Sequence, residues 1–154
     1  MKLHFSGRNA LILGGSCDLA ICLAECLMES SLFPILTYRN EKGERRISEK
    51  LENYSEEYSS CYLDFGRRDS LESLFGKTGD DIDFVIDFVQ GDLESFIAAA
   101  DSYSVFHYFS ENVSFRAEIL KRVSRGMLKK KRGRLVFISS SAAMRPNPGQ
   151  GFYS

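Results

Sequence analysis

The sequence predicts an α/β fold, a doubly wound parallel sheet with helices on both faces. Three observations predict it. Short apolar runs alternate with segments of helical periodicity along the 154 residues. The first run, Asn9–Leu13, passes through Gly14-Gly15-Ser16 directly into a helical segment. The last run, Leu135–Ile138, ends in Ser139-Ser140-Ser141, which puts polar side chains where open parallel sheets hold ligands, at the carboxyl ends of strands. Strands that alternate with helices pair in parallel through right-handed crossovers.

The elements follow in order. After the strand Asn9–Leu13, a helix is expected over Asp18–Met28, spaced by Leu19, Leu23, Cys26 and Leu27. Phe33–Tyr38 is the second strand and Glu44–Leu51 a polar helix. Cys61–Leu63 lies in the third strand. Asp69-Ser70-Leu71-Glu72 reads as a capping box, with Asp69 at the N-cap and Glu72 at N3. Phe84–Ile86 is the fourth strand. A long helix is expected from about Val105 to Lys130, because no proline interrupts it and Val113, Ile119, Leu120, Val123, Met127 and Leu128 recur at helical intervals. Leu135–Ile138 is the fifth strand, entered through Gly133. No repeat, low-complexity segment or domain boundary divides the chain, so residues 1–154 form one domain.

Composition narrows the classes. Hydrophobic residues at 44% and charged residues at 27% suit a globular chain, long enough to bury a core without disulfides or metal. The formal net charge of −1 supplies no field toward nucleic acid or a membrane surface. No apolar run has the length of a membrane span, and Met1-Lys2-Leu3-His4-Phe5-Ser6-Gly7-Arg8 lacks the apolar stretch of a signal peptide. Cys17, Cys22, Cys26 and Cys61 match no disulfide framework and no zinc site, so reduced thiols in a cytoplasmic protein are expected. Cys22 and Cys26 share a helix face and read as buried small apolar residues, whereas Cys17 stands near a helix N-terminus, where a thiol pKa falls. Asp80-Asp81-Ile82-Asp83 reads as a solvated loop, and Lys129-Lys130-Lys131-Arg132 as a cationic helix end that suits the dipole.

Two segments carry binding chemistry. Gly14-Gly15-Ser16-Cys17-Asp18-Leu19-Ala20 joins strand to helix, where glycine admits a pyrophosphate and the helix N-terminus offers unpaired N–H groups. A full fingerprint has glycine in place of Asp18 and Ala20, and a plain strand–helix turn is the other reading. Tyr38-Arg39-Asn40 follows the second strand, where a dinucleotide fold meets the adenosine ribose. A carboxylate there selects NAD, whereas Arg39 suits the 2′-phosphate of NADP; the alternative is a solvated strand-end arginine.

A third segment carries reaction chemistry. Ser140 is placed to hydrogen-bond a substrate carbonyl, and Tyr153, in Gln150-Gly151-Phe152-Tyr153, to exchange the proton that accompanies hydride transfer. Together these residues give the chain a resemblance to the short-chain dehydrogenase/reductase family, most of all to its 3-oxoacyl-carrier-protein reductase branch. Ser140 and Tyr153 stand 13 residues apart, the family's spacing. Asn112, in Ser110-Glu111-Asn112-Val113, falls where the family keeps an asparagine in its fourth crossover helix. The stretch from Gly126 to Ser140 is similar to the family's helix-to-strand passage.

The resemblance implies a Rossmann-like sheet of order 3-2-1-4-5 and an NADP-dependent oxidoreductase that reduces a carbonyl. Tyr153 is then the general acid/base, Ser140 the carbonyl partner and Asn112 the holder of a relay water. Gly14, Ser16, Cys17, Asp18 and Leu19 are expected around the pyrophosphate. Tyr38, Arg39 and Asn40 are expected at the ribose, and Asp64 and Phe65 near the adenine. Val89, Gln90 and Gly91 are expected beside the nucleosides. An acidic acyl carrier protein is expected near Lys131, with a homo-oligomer in the complete protein. The chain departs from the family at Asp87-Phe88-Val89-Gln90, where Asn-Asn-Ala-Gly is usual. The family's lysine four residues past the tyrosine lies beyond Ser154, and the C-terminal part of the family fold is expected to belong to a longer parent. The rival reading is a non-catalytic nucleotide-binding or redox-sensing protein on the same fold.

Overall fold

The computed structural model describes residues 6–153. Residues 1–5, part of the segment read as lacking a signal peptide, and residue 154 lie outside the described residues. Five parallel strands form one sheet of order β3-β2-β1-β4-β5, the order expected. They are β1 (Asn9–Leu13), β2 (Phe33–Tyr38), β3 (Ser59–Tyr62), β4 (Phe84–Asp87) and β5 (Arg134–Phe137). Alternation along the strands builds two cores. Ala10, Ile12, Leu36 and Ile86 face α1 (Asp18–Glu29) and α2 (Glu41–Lys50). Leu11, Leu13, Ile35 and Val85 face α3 (Arg68–Thr78) and α5 (Arg116–Lys130). The register sets Leu13 beside Asp87 and Asp87 beside Phe137, so the carboxyl ends of β1, β4 and β5 finish in one row.

Several local expectations are corrected. In α1 the buried residues are Ala20, Ile21, Ala24 and Met28, while Cys22 and Cys26 are exposed. Small alanines let the helix lie close to the sheet, which rotates both cysteines outward. Asp69 is not the N-cap of α3; that position is Arg67, and Asp69 pairs with the Arg67 guanidinium at 2.6 Å. The hydroxyl that ties this turn is Ser70, which accepts from the Asp64 amide at 3.1 Å and donates to the Arg67 carbonyl at 2.6 Å. The long helix begins earlier than expected, as α4 (Ser102–Phe109) with Asp101 accepting from the Ser104 amide. A π-helical turn, Ser110–Phe115, then joins α4 to α5. Sequence periodicity does not reveal that inserted turn, whereas Asn112 inside it donates from Nδ2 to the Tyr108 carbonyl at 2.9 Å.

The acidic loop is also corrected. Asp83 is 1% exposed, not solvated. Its Oδ2 accepts from the Arg8 amide at 2.8 Å, and its Oδ1 from Lys130 Nζ at 2.8 Å and Arg132 Nε at 3.0 Å. Two members of the cationic run, the largely covered Lys130 and the half-exposed Arg132, thus reach in to a buried carboxylate. Burial alone would raise the Asp83 pKa, but these donors hold it well below the usual carboxylate range.

Candidate active site

The glycine turn owes its shape to close packing. Gly14 has φ +72°, a conformation that costs glycine little. A Cβ on Gly15 would stand 2.6 Å from Leu36 Cβ, so only glycine lets the turn lie on β2. Thr37, buried in an apolar strand, accepts from the Gly14 amide at 3.0 Å and donates to the Ile12 carbonyl at 3.2 Å. The Gly15 amide donates to the Thr37 carbonyl at 2.8 Å. Sequence reasoning missed Thr37; a hydroxyl inside the run Phe33–Tyr38 was its signal.

A groove of about 650 Å³ opens over the carboxyl ends of the strands. Gly14 and Ser16 line it from the first turn, and Tyr38 and Arg39 from the end of β2. Phe65 lines it beyond β3, and Val89, Gln90 and Gly91 beyond β4. His107, Tyr108, Glu111 and Asn112 close it from the helical side, of which only Asn112 was expected. Burial and a 2.7 Å hydrogen bond to Glu44 push the Tyr38 phenol up to about 12, so it stays neutral.

The other expected cofactor contacts sit outside the groove lining. Cys17 is the exposed N-cap of α1, and Leu19 is 69% exposed. The Asp18 carboxylate turns to Arg46 on α2, whose hydrogen bond and charge lower its pKa, and it caps nothing. Asn40 caps α2 by accepting from the Gly43 amide at 2.9 Å. Asp64 faces Arg39 at 3.6 Å across the ends of β3 and β2.

A smaller cavity of about 170 Å³ adjoins the groove and shares Val89, Gln90, Gly91, Tyr108 and Asn112 with it. Asn112, Ser140 and Tyr153 all line this cavity, although the π turn, the loop after β5 and the C-terminal turn supply them separately. Ser140 Oγ accepts from the Ala142 amide at 3.2 Å and caps a short 3-10 turn. The Tyr153 hydroxyl donates to Gln90 Oε1. Arg116 also lines the cavity, one helical turn beyond Asn112. It was not anticipated, and that i, i+4 spacing was the available signal.

A sequence model described as short chain dehydrogenase matches residues 8–154. The chain belongs to the short-chain dehydrogenase family. It is similar to the uncharacterized oxidoreductase YvaG of Bacillus subtilis, 26% identical over 161 residues, covering 100% of this chain and 59% of that protein. It is also similar to the 3-oxoacyl-[acyl-carrier-protein] reductase FabG of Haemophilus influenzae, 26% identical over 150 residues, covering 96% of this chain and 61% of the relative. Among solved structures it superposes on YwfH, an NADPH dependent reductase involved in bacilysin biosynthesis, with TM-score 0.80 and 18% identity, over 94% of this chain and 59% of that one. That last likeness is one of fold. This short-chain dehydrogenase chain therefore spans about three-fifths of the length of the curated relatives it matches. Among the described residues no helix is long and apolar enough to cross a membrane.

Proposed function

We propose that this chain supplies the cofactor groove and the proton-transfer residues of an NADPH-dependent carbonyl reductase. One observation carries the reading: Asn112, Ser140 and Tyr153 line a single cavity that opens onto the strand-end groove. The residues present fit a dinucleotide. Gly14 and Ser16 line the groove where α1 begins, and the first-turn amides of α1 lack intrahelical acceptors. Asp18, which departs from the family pattern, pairs with Arg46, whose charge offsets part of its repulsion of a phosphate. Gly14, Ser16, Tyr38, Arg39, Phe65 and Val89 would hold the cofactor, with Arg39 turned to a 2′-phosphate.

When bound, the nicotinamide supplies a hydride. The chain supplies the proton. Tyr153 holds it on its phenol and delivers it to the oxygen of the substrate carbonyl, which Ser140 Oγ orients by a hydrogen bond. Asn112 keeps a side-chain oxygen for a relay water while its Nδ2 is occupied by the Tyr108 carbonyl. The H. influenzae relative supports a 3-oxoacyl substrate on a carrier protein, and exposed Lys131 at the end of α5 supports docking of an acidic carrier.

The test is a fluorescence titration of the chain with NADPH and NADH, paired with turnover of a 3-oxoacyl thioester by the parent protein and its Tyr153→Phe variant. NADPH is expected to bind more tightly, and the variant to lose turnover by about 100-fold or more while still binding NADPH. Undiminished turnover would remove Tyr153 from its role.

A further inference from the structure

We propose that Gln90 is a positioning residue for the Tyr153 hydroxyl, and that the buried Asp87–Arg116 pair is the device that fixes Gln90 in place. The proposal rests on the reading of Tyr153 as the proton-transfer group. Asp87 closes β4 and is 3% exposed. Its Oδ1 accepts from the Val89 amide at 2.9 Å. Its Oδ2 lies 2.8 Å from Arg116 Nε, yet neither atom has a well-aimed hydrogen bond, so this contact is ionic. Arg116 Nη2 donates instead to the Val89 carbonyl at 2.6 Å. One carboxylate and one guanidinium, which also face each other, thus occupy both polar groups of the Val89 backbone.

The other side of Gln90 is fixed by packing. A Cβ on Gly91 would stand 2.3 Å from Tyr108 Cε2 and 2.6 Å from Asn112 Nδ2, so that backbone lies flush on the helix. Gln90 sits between two anchored neighbours, and its Oε1 accepts the proton of the Tyr153 hydroxyl. A carboxamide does not titrate, so Gln90 Oε1 holds the hydroxyl in place without taking its proton, which stays on the phenol for transfer when a carbonyl oxygen replaces this acceptor. The phenol's lone pairs are left to the rest of the cavity, which holds Ser140 and Asn112.

The pair is a poor way to gain stability. Taking the Asp87 carboxylate out of water carries a desolvation cost, and an apolar pair of similar volume often serves as well or better. Burial pushes the Asp87 pKa up, and the Arg116 charge opposes the rise. An ionic strap at a cavity wall gains geometry instead, because a guanidinium fork reaches a carboxylate and a carbonyl together.

The test uses the full chain labelled with ¹³Cε-tyrosine, in which the Tyr153 NMR signal is the one lost in Tyr153→Phe. Gln90→Leu is expected to displace that signal. The double variant Asp87→Leu/Arg116→Met keeps Gln90 but is expected to displace the Tyr153 signal as Gln90→Leu does. A signal that stays in place in Gln90→Leu, or in the folded double variant, overturns the proposal. Where the double variant does not fold, Arg116→Lys decides: it keeps the charge without the planar fork, and an unmoved signal again overturns the strap. NADPH added to the wild-type chain is read separately. A spectrum unchanged by NADPH overturns the cofactor reading alone, and the variants still decide the strap.

Discussion

Replacing Asp83 by alanine tests the buried charge cluster that joins α5 to the sheet. The carboxylate binds the Arg8 and Asn9 amides at 2.8 and 3.3 Å, with Lys130 and Arg132 at 2.8 and 3.0 Å. Alanine leaves the Arg8 amide without that acceptor and strips Lys130 of one partner. Breaking a buried pair from one side costs roughly 3–5 kcal/mol. Two features favour the lower end. Lys130 keeps Asp81 at 2.9 Å and the Ile82 carbonyl at 3.0 Å, and the Arg132 side chain is 46% exposed and can turn to water. A loss of about 3 kcal/mol is therefore expected, which for a domain of this size lowers Tm by roughly 6–12 °C. The assay is urea unfolding followed by circular dichroism, with a thermal scan at the same pH. The pH dependence has a definite sign. The folded-state pKa of Asp83 is depressed, so its contribution is complete above about pH 4, the unfolded range, and fades as pH falls toward the folded value. The wild-type advantage over Asp83→Ala should thus shrink on acidification below about pH 4. A loss under about 1 kcal/mol at pH 7, or an advantage that grows in acid, refutes the reasoning.

Arg39→Ala is expected to narrow the preference for NADPH over NADH by about tenfold, because one exposed guanidinium shared with Asp64 gives a modest charge-assisted bond; paired fluorescence titrations measure it. Gly15→Ala should cost roughly 1–3 kcal/mol and weaken cofactor binding, since its Cβ meets Leu36 in the strand beneath; urea midpoints and titration check both effects. β5 exposes Leu135, Val136 and Phe137 at 40%, 46% and 51%, so the isolated chain should self-associate along that edge. Light scattering should show the association reduced in Val136→Lys, and a monomer at high concentration without the substitution would contradict the expectation.

The sheet was legible because strands buried on both faces read as short continuous apolar runs. Asn9–Leu13 and Phe33–Tyr38 match their observed bounds, and the others fall within a few residues of theirs. Helix faces were less legible. Leu19, Leu23, Cys26 and Leu27 have the right spacing, but the sheet took the alanine face of α1. Both faces carry apolar residues, and only the closeness of approach to β1 and β2 chooses between them. The trio proposed for proton transfer was legible as separate residues through the family's spacing, whereas their common cavity depends on the row of strand ends.

By itself the sequence determined the parallel α/β architecture, the glycine turn and the residues suited to proton transfer. Each is encoded locally, by a period, a conformational need or a spacing. Only the tertiary structure decided which charges are answered and by what. Asp18 met Arg46, Asp87 met Arg116, and Asp83 met Lys130 and Arg132. These partners stand far apart in the chain, and no local pattern encodes their meeting. The pairs form only after crossovers carry α2 to the start of α1 and α5 to the two ends of β4; at Asp83 and Asp87 burial makes an unanswered charge too costly to keep, whereas the Asp18 pair lies in solvent.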